Sequence, residues 1–170
     1  VASEVAGSIA DVVRAGEIPL VVGGDCTITV GVIAGMLRAG LDPSLLYVDG
    51  GVDLYVPGTQ PAGHMDSMGV AHLLEPSKVV FFAQSAVSVR PSEDPRDVEG
   101  VVFARHDFRS YPLEVVAGRP SETATEARAD IERDAGPFIV HFDVDVLDFL
   151  DCPLADQPEV APVRDPVLPV

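Results

Sequence analysis

Positive charge is scarce in this sequence of 170 residues: 11 Lys and Arg stand against 27 Asp and Glu, for a net charge of −16. A field of that sign repels phosphate backbones, so nucleic acid is not an expected partner. Cysteine is nearly absent too. Cys26 and Cys152 cannot build a disulfide framework, and they read as free thiols in a reducing cytosol. No apolar run is long enough to cross a bilayer, and no signal-peptide pattern opens the chain. The expectation is a cytoplasmic protein with no membrane partner, of a length that supports one domain with a real core.

What the chain does have is a hydrophobic strand that runs straight into carboxylates. Phe138-Ile139-Val140 lead into Asp143, Asp145 and Asp148 with hardly a break. In an extended segment Asp143 and Asp145 share a face, because side chains alternate with period two. Such a pair repels itself unless a cation, a proton or an Arg joins it, and strand ends are where open α/β sheets bind ligands.

Earlier segments repeat the theme. Ala2 to Ala15 has helical spacing, with Gly16 as its stop, and Ile18 to Val22 is a short apolar run suited to a buried parallel strand. Gly23-Gly24-Asp25-Cys26 turns into a helix over Thr27 to Ala39, with Thr27 a candidate N-cap. Leu45 to Val48 is a second strand and ends in Asp49. Further along, the pattern predicts helix over Met65 to Leu74, strands at Lys78 to Ala83 and Val101 to Ala104, and surface loop from Arg90 to Glu99. A mostly polar, solvent-facing helix over Ser121 to Ala135 follows, with a capping-box look at Thr123 and Glu126. Beyond Asp151 there are five prolines and no periodicity. Strands alternating with helices predict an α/β fold: a doubly wound, mainly parallel sheet with helices on both faces, in one domain over residues 1–156 followed by an irregular Pro-rich tail, 157–170.

If the strands are parallel, the ends carrying "GGDC", "VDGGVD" and "HFDVD" lie on one edge of the sheet. Asp49 and Asp53 bracket a turn that Gly50 and Gly51 let fold back. Carboxylates converging there would make a hard-cation site suited to Mn²⁺ or Mg²⁺. Cys26 as thiolate would tilt it toward Zn²⁺, Fe²⁺ or Mn²⁺. Each motif also has a plainer reading: a DxD pair as loop acids, Cys26 as a small buried residue or a redox-sensing thiol, Asp151 and Asp156 as loop acids. His141 shares the Asp143 face, either as a support behind the ligands or, more simply, as a buried histidine with its hydrogen bonds satisfied.

Taken together, "GGDC", "DGGVDLYVPGTQPAGHMDSMGVAHLL" and "HFDVDVLD" resemble the signature blocks of the arginase/agmatinase (ureohydrolase) family, whose three-layer α/β/α fold would here be incomplete at both ends. The resemblance implies a hydrolase of a linear C–N bond in a guanidino or amidino compound, in which a metal-bound hydroxide attacks, with Mn²⁺ as cofactor and a homo-oligomer possible. The first ion's ligands would be Cys26, where the family has His, with Asp49, Asp53 and Asp143. Ligands of the second would be Asp49, Asp143 and Asp145, together with position 51, where the family has His and this chain has Gly51. Substrate-facing positions fall on Tyr55, Ala62 and His64, and the family's proton-donating His falls on Asp66, a poor acid that could instead pair with a cationic substrate or ligate metal. His64, in the loop over the site, either repairs the second ion's site or is a loop His hydrogen-bonded to backbone. His64 and Asp66 are the candidate catalytic residues. Asp148 would fix the turn after the strand. His141 stands where the family has Ser. These departures leave a non-catalytic, metal-binding or structural relative as the alternative.

Overall fold

Apolar residues at helical spacing fold into α1 (Ala2–Arg14), which buries Ala6, Ile9 and Ala10; Gly16, in the left-handed region at φ 79°, takes the chain out of it. The computed structural model from which these elements are taken describes residues 1–59, 64–73, 78–85, 98–134 and 136–147. Ala62, Asp148, Asp151, Cys152, Asp156, most of the expected 90–99 loop and the 157–170 tail lie outside the described residues. The second helix, α2 (Ile28–Arg38), packs tightly on α1 because its contact face is glycine. A Cβ at Gly35 would lie 2.5 Å from the Cβ of Ile9 and 2.8 Å from the carbonyl oxygen of Ala6. Thr27 sits at the N-cap as expected, but its hydroxyl donates to the Asp25 carboxylate instead of capping.

Four parallel strands follow among the described residues: β1 (Ser44–Val48), β2 (Val79–Phe82), β3 (Arg109–Tyr111) and β4 (Phe138–Phe142), in the order β3-β2-β1-β4. The register sets Val48 beside both Phe82 and Phe142, so the C-terminal ends of β1, β2 and β4 are level. One face buries Leu45, Tyr47, Val79 and Phe81, covered by Ile33 of α2 and by Val102 and Phe103 of α3 (Glu99–Arg105). The opposite face packs Val80 against Ala127 and Ile131 of α5 (Pro120–Ile131), which follows the short α4 (Leu113–Gly118). This is the expected doubly wound α/β arrangement with helices on both faces. Phe81 anchors it, edge-on to Tyr47 at 6.0 Å and to Phe108 at 5.1 Å between ring centroids.

Several segments differ from the sequence expectation. Ile18–Val22 forms no strand among the described residues: Ile18, Leu20 and Val22 are 96%, 90% and 87% exposed. A groove of about 1090 Å³ separates that segment from β4, where Phe138, Val140 and Phe142 are exposed as well. A strand exists only by pairing, and an apolar run cannot say who its neighbour is. Val101 to Ala104 is helix, not strand. Four apolar residues are too few to show a period, whereas Glu99 in the first turn and Arg105 in the last complement a helix dipole. Over the described part of the expected Met65–Leu74 helix, up to Leu73, the chain is tighter than an α-helix, with 3₁₀ turns at Asp66–Met68 and Val70–Leu73. Thr123 and Glu126 make no capping box, because α5 starts earlier, at Pro120. Thr123 donates to the Arg119 carbonyl and Glu126 pairs with the Arg119 guanidinium at 2.8 Å. That helix is not simply solvent-facing, for it buries Thr123, Ala127 and Ile131. Polar β3 and short α4 carry no pattern that a sequence reading picks up.

Candidate metal centre

Three chain segments meet at the C-terminal edge of the sheet. After β1, the Asp49 N–H still donates to the Phe82 carbonyl, and its Oδ1 accepts from the Gly51 N–H at 2.6 Å, folding the Gly-Gly turn onto it. After β4, the Asp143 N–H donates to the Val48 carbonyl at 2.9 Å, and its Oδ1 accepts from the Asp145 N–H at 3.0 Å, which starts a 3₁₀ turn over Val144–Val146. Asp49 is 2% exposed. The third segment is the entry to α2, which brings the Cys26 Sγ to 2.9 Å from Asp143 Oδ2 and 3.7 Å from Asp49 Oδ2.

His141, inside β4, completes the group. Its Nδ1 lies 2.7 Å from the Thr29 hydroxyl of α2, and its ring stacks on Tyr47 with centroids 4.4 Å apart and planes 11° from parallel. Its Nε2 faces Asp49 Oδ2 at 3.6 Å, beyond hydrogen-bond length. Cys26, Asp49, His141 and Asp143 each present one ligand atom, all within 4.8 Å of one another.

The electrostatics of the cluster call for positive charge. Burial, then the charges of Asp53 and Asp49, pushes the Cys26 thiol far up. Burial, then Asp49, raises the Asp53 carboxyl well above the carboxylate range, although the Tyr47 hydroxyl donates to it; burial raises the Tyr47 hydroxyl in turn. A redox-sensing thiol needs exposure, and Cys26 is buried, which weighs against that reading. A cation among these donors removes the conflict. The local geometry fits one: His141 Nε2 is buried without a hydrogen-bond partner among the described residues, and a Cβ at Gly51 would sit 3.3 Å from Asp49 Oδ1 and 3.5 Å from Asp53 Oδ1.

The residues singled out from the sequence do not all meet. Cys26, Asp49 and Asp143 come together directly. Asp53, held at φ 49°, lies beside them in the grip of Tyr47. Asp145 instead turns its Oδ1 to the Gly50 N–H at 3.1 Å, tying the loop after β4 to the loop after β1. His64 is exposed, with its carbonyl accepting from the Ser67 hydroxyl, and Asp66 accepts from the Ser67 N–H at 2.9 Å; neither joins the cluster among the described residues. Tyr55 donates its N–H to the Ser67 carbonyl, which fastens that loop. The expectation of a fully satisfied His141 is corrected: Nδ1 is satisfied and Nε2 is not. The two-residue spacing from Asp143 signals that both share one face, but not that Nε2 is left open.

Comparison with known proteins gives one consistent picture. A family model described as the arginase family matches residues 1–161. The hepatic arginase of Aquarana catesbeiana is 25% identical over 182 residues, covering 99% of this chain and 54% of that protein. Arginase-1 of Homo sapiens is 35% identical over 75 residues, covering 44% of this chain and 23% of its own length. Among solved structures, arginase from Bacillus subtilis gives a TM-score of 0.79 at 20% identity, over 94% of this chain and 60% of that one. Trypanosoma cruzi formiminoglutamase with Mn²⁺ gives 0.74 at 23% identity, over 94% and 52%. At these identities the structures establish the fold. The chain spans about half the length of the curated relatives it matches.

Proposed function

This chain belongs to the arginase family, and from that premise we propose that it is a metal-dependent hydrolase of a linear C–N bond in a guanidino or amidino compound. The observation that carries the reading is the convergence of Cys26, Asp49, His141 and Asp143 at the C-terminal edge of a parallel sheet. The family resemblance gives Cys26, Asp49, Asp53 and Asp143 as candidate ligands of a first divalent ion and Asp145 as one for a second, with Mn²⁺ expected. In the structure Asp53 is held by Tyr47 and Asp145 by the Gly50 N–H, beside the group of Cys26, Asp49, His141 and Asp143. Such an ion supplies Lewis acidity, which makes water a nucleophile near neutral pH.

The chain's own residues then bind, orient and move protons. The excess of acids draws a cationic guanidinium or amidinium toward the sheet edge. In this reading Asp66, at the start of its 3₁₀ turn, pairs with the substrate's cationic end, and His64 carries the proton lost by the attacking water to the leaving amine; neither joins the cluster among the described residues, so both act on substrate and not on the ion. Water adds to the carbon, the C–N bond breaks, and the amine departs protonated. Tyr47 and Thr29 hold the buried groups in place from behind.

A screen of guanidino and amidino compounds with Mn²⁺ tests this, with Asp143→Ala as the control. The expected result is hydrolysis of at least one compound, abolished in the variant. Metal binding with no turnover across the screen would favour the second reading, a non-catalytic relative, which Gly51 supports by offering no donor where a side chain would enter the cluster.

A further inference from the structure

We propose that His141 and Cys26 are direct ligands of a single divalent ion, together with Asp49 and Asp143, and that this donor set selects a zinc-class ion over Mn²⁺. The inference rests on the metal site of the proposed function, in which it puts His141 in place of Asp53, one ion in place of two and a zinc-class ion in place of Mn²⁺, and it is independent of hydrolysis.

His141 carries it. Its side chain is 9% exposed, yet Nε2 has no hydrogen-bond partner among the described residues and is aimed at a carboxylate oxygen 3.6 Å away. Buried polar nitrogens are almost always paired, so an orphan aimed into a cluster of anionic donors marks a place for a cation. The ring is not free to turn elsewhere. Thr29, itself 3% exposed, takes Nδ1 at 2.7 Å, and Tyr47 stacks flat against the imidazole. Nδ1–H donating to an oxygen while Nε2 keeps its lone pair is how metal-binding histidines are held, because the second bond fixes both tautomer and orientation.

The spacing agrees. Ligand atoms of a tetrahedral ion with bonds of about 2.0–2.3 Å stand about 3.3–3.8 Å apart. Nε2 and Sγ lie 3.6 and 3.7 Å from Asp49 Oδ2. The shorter 2.9 Å from Sγ to Asp143 is a thiol donating its proton, which is lost when the thiolate takes the ion. Imidazole, thiolate and two carboxylates in four-coordinate geometry suit Zn²⁺ or Co²⁺; Mn²⁺ favours a shell of oxygens.

Titration of the metal-free full chain with Co²⁺ tests the ligands. A sulfur-to-cobalt charge-transfer band and four-coordinate visible bands are expected, and Zn²⁺ should displace the Co²⁺ where excess Mn²⁺ does not. Cys26→Ser should abolish the charge-transfer band, and His141→Ala should weaken Zn²⁺ by about 100-fold or more, beyond the loss typical of an outer-shell partner. X-ray absorption of the Zn²⁺-loaded unmodified chain guards against a variant that fails to fold, and should show one sulfur and an imidazole. Co²⁺ bound without the sulfur band, unchanged affinity in His141→Ala, absence of imidazole scattering, or Mn²⁺ competing equally with Zn²⁺ would each overturn the inference. Tight Cys/His ligation with no hydrolysis leaves it standing and defeats only the catalytic reading.

Discussion

β1 and the Ile18–Val22 segment are both short apolar runs, and each leads toward a residue of the metal cluster. β1 is paired on both sides, buries Leu45 and Tyr47, and delivers Asp49 from the centre of the sheet. Ile18–Val22 carries Pro19, which has no N–H to give a ladder, and lies open to solvent across a groove from β4. Yet Cys26, a few residues further on, reaches the cluster as closely as any other donor. The reason is that Cys26 is placed by a helix and not by a strand. α2 is clamped to α1 through Gly31 and Gly35, and its Thr29 reaches across to His141. The cluster is thus held from two sides, by a well-packed sheet and by a helix pair, while the segment leading into α2 contributes little packing.

That contrast can be broken first in the sheet. Phe81→Ala empties a fully buried position among Tyr47, Phe103 and Phe108 and should cost about 3–5 kcal/mol in denaturant unfolding. A loss under about 1 kcal/mol would mean that the aromatic cluster is not the anchor. The helix pair comes next. Gly35→Ala forces a Cβ into Ile9 and the Ala6 carbonyl and should cost about 1–3 kcal/mol, despite alanine's better helix propensity. Its metal affinity should fall with its stability, since α2 positions Cys26; affinity unaffected by the substitution would show that α2 is not what holds the thiol. The smallest effects belong to the open side. Phe142→Ala, 55% exposed on β4, and Leu20→Ser, 90% exposed, should each shift stability by no more than about 0.5 kcal/mol. A large loss at Leu20 would place that side chain in a packed environment and close the gap between the two segments.

The sequence made legible whatever depends on local pattern. β1, β2, β4, α1, α2 and α5 follow from periodicity and turn residues. The meeting of Asp49 and Asp143 follows once parallel strands are granted a common edge; the expectation for Cys26 rests on a strand that is not formed among the described residues, and the helix pair places it instead. What stayed hidden depends on neighbours. Ile18–Val22 looks like a strand until one asks what pairs with it. Val101 to Ala104 is helical and packs Val102 and Phe103 against the sheet, which four apolar residues by themselves do not reveal. Asp145 shares a face with Asp143 by alternation, but the chain turns into a 3₁₀ helix immediately after Asp143, and the carboxylate goes to Gly50. The free Nε2 of His141 depends on where Thr29 and Asp49 fall, and no spacing rule supplies that.

The convergence of donors from β1, β4 and α2 on one cation is tested most directly by counting metal in the purified full chain after equilibration with divalent ions and removal of the excess. A stoichiometric ion is predicted, lost in both Asp49→Ala and Asp143→Ala while circular dichroism shows the fold retained. Background metal in the unmodified chain, or an equal amount in the folded variants, would contradict it.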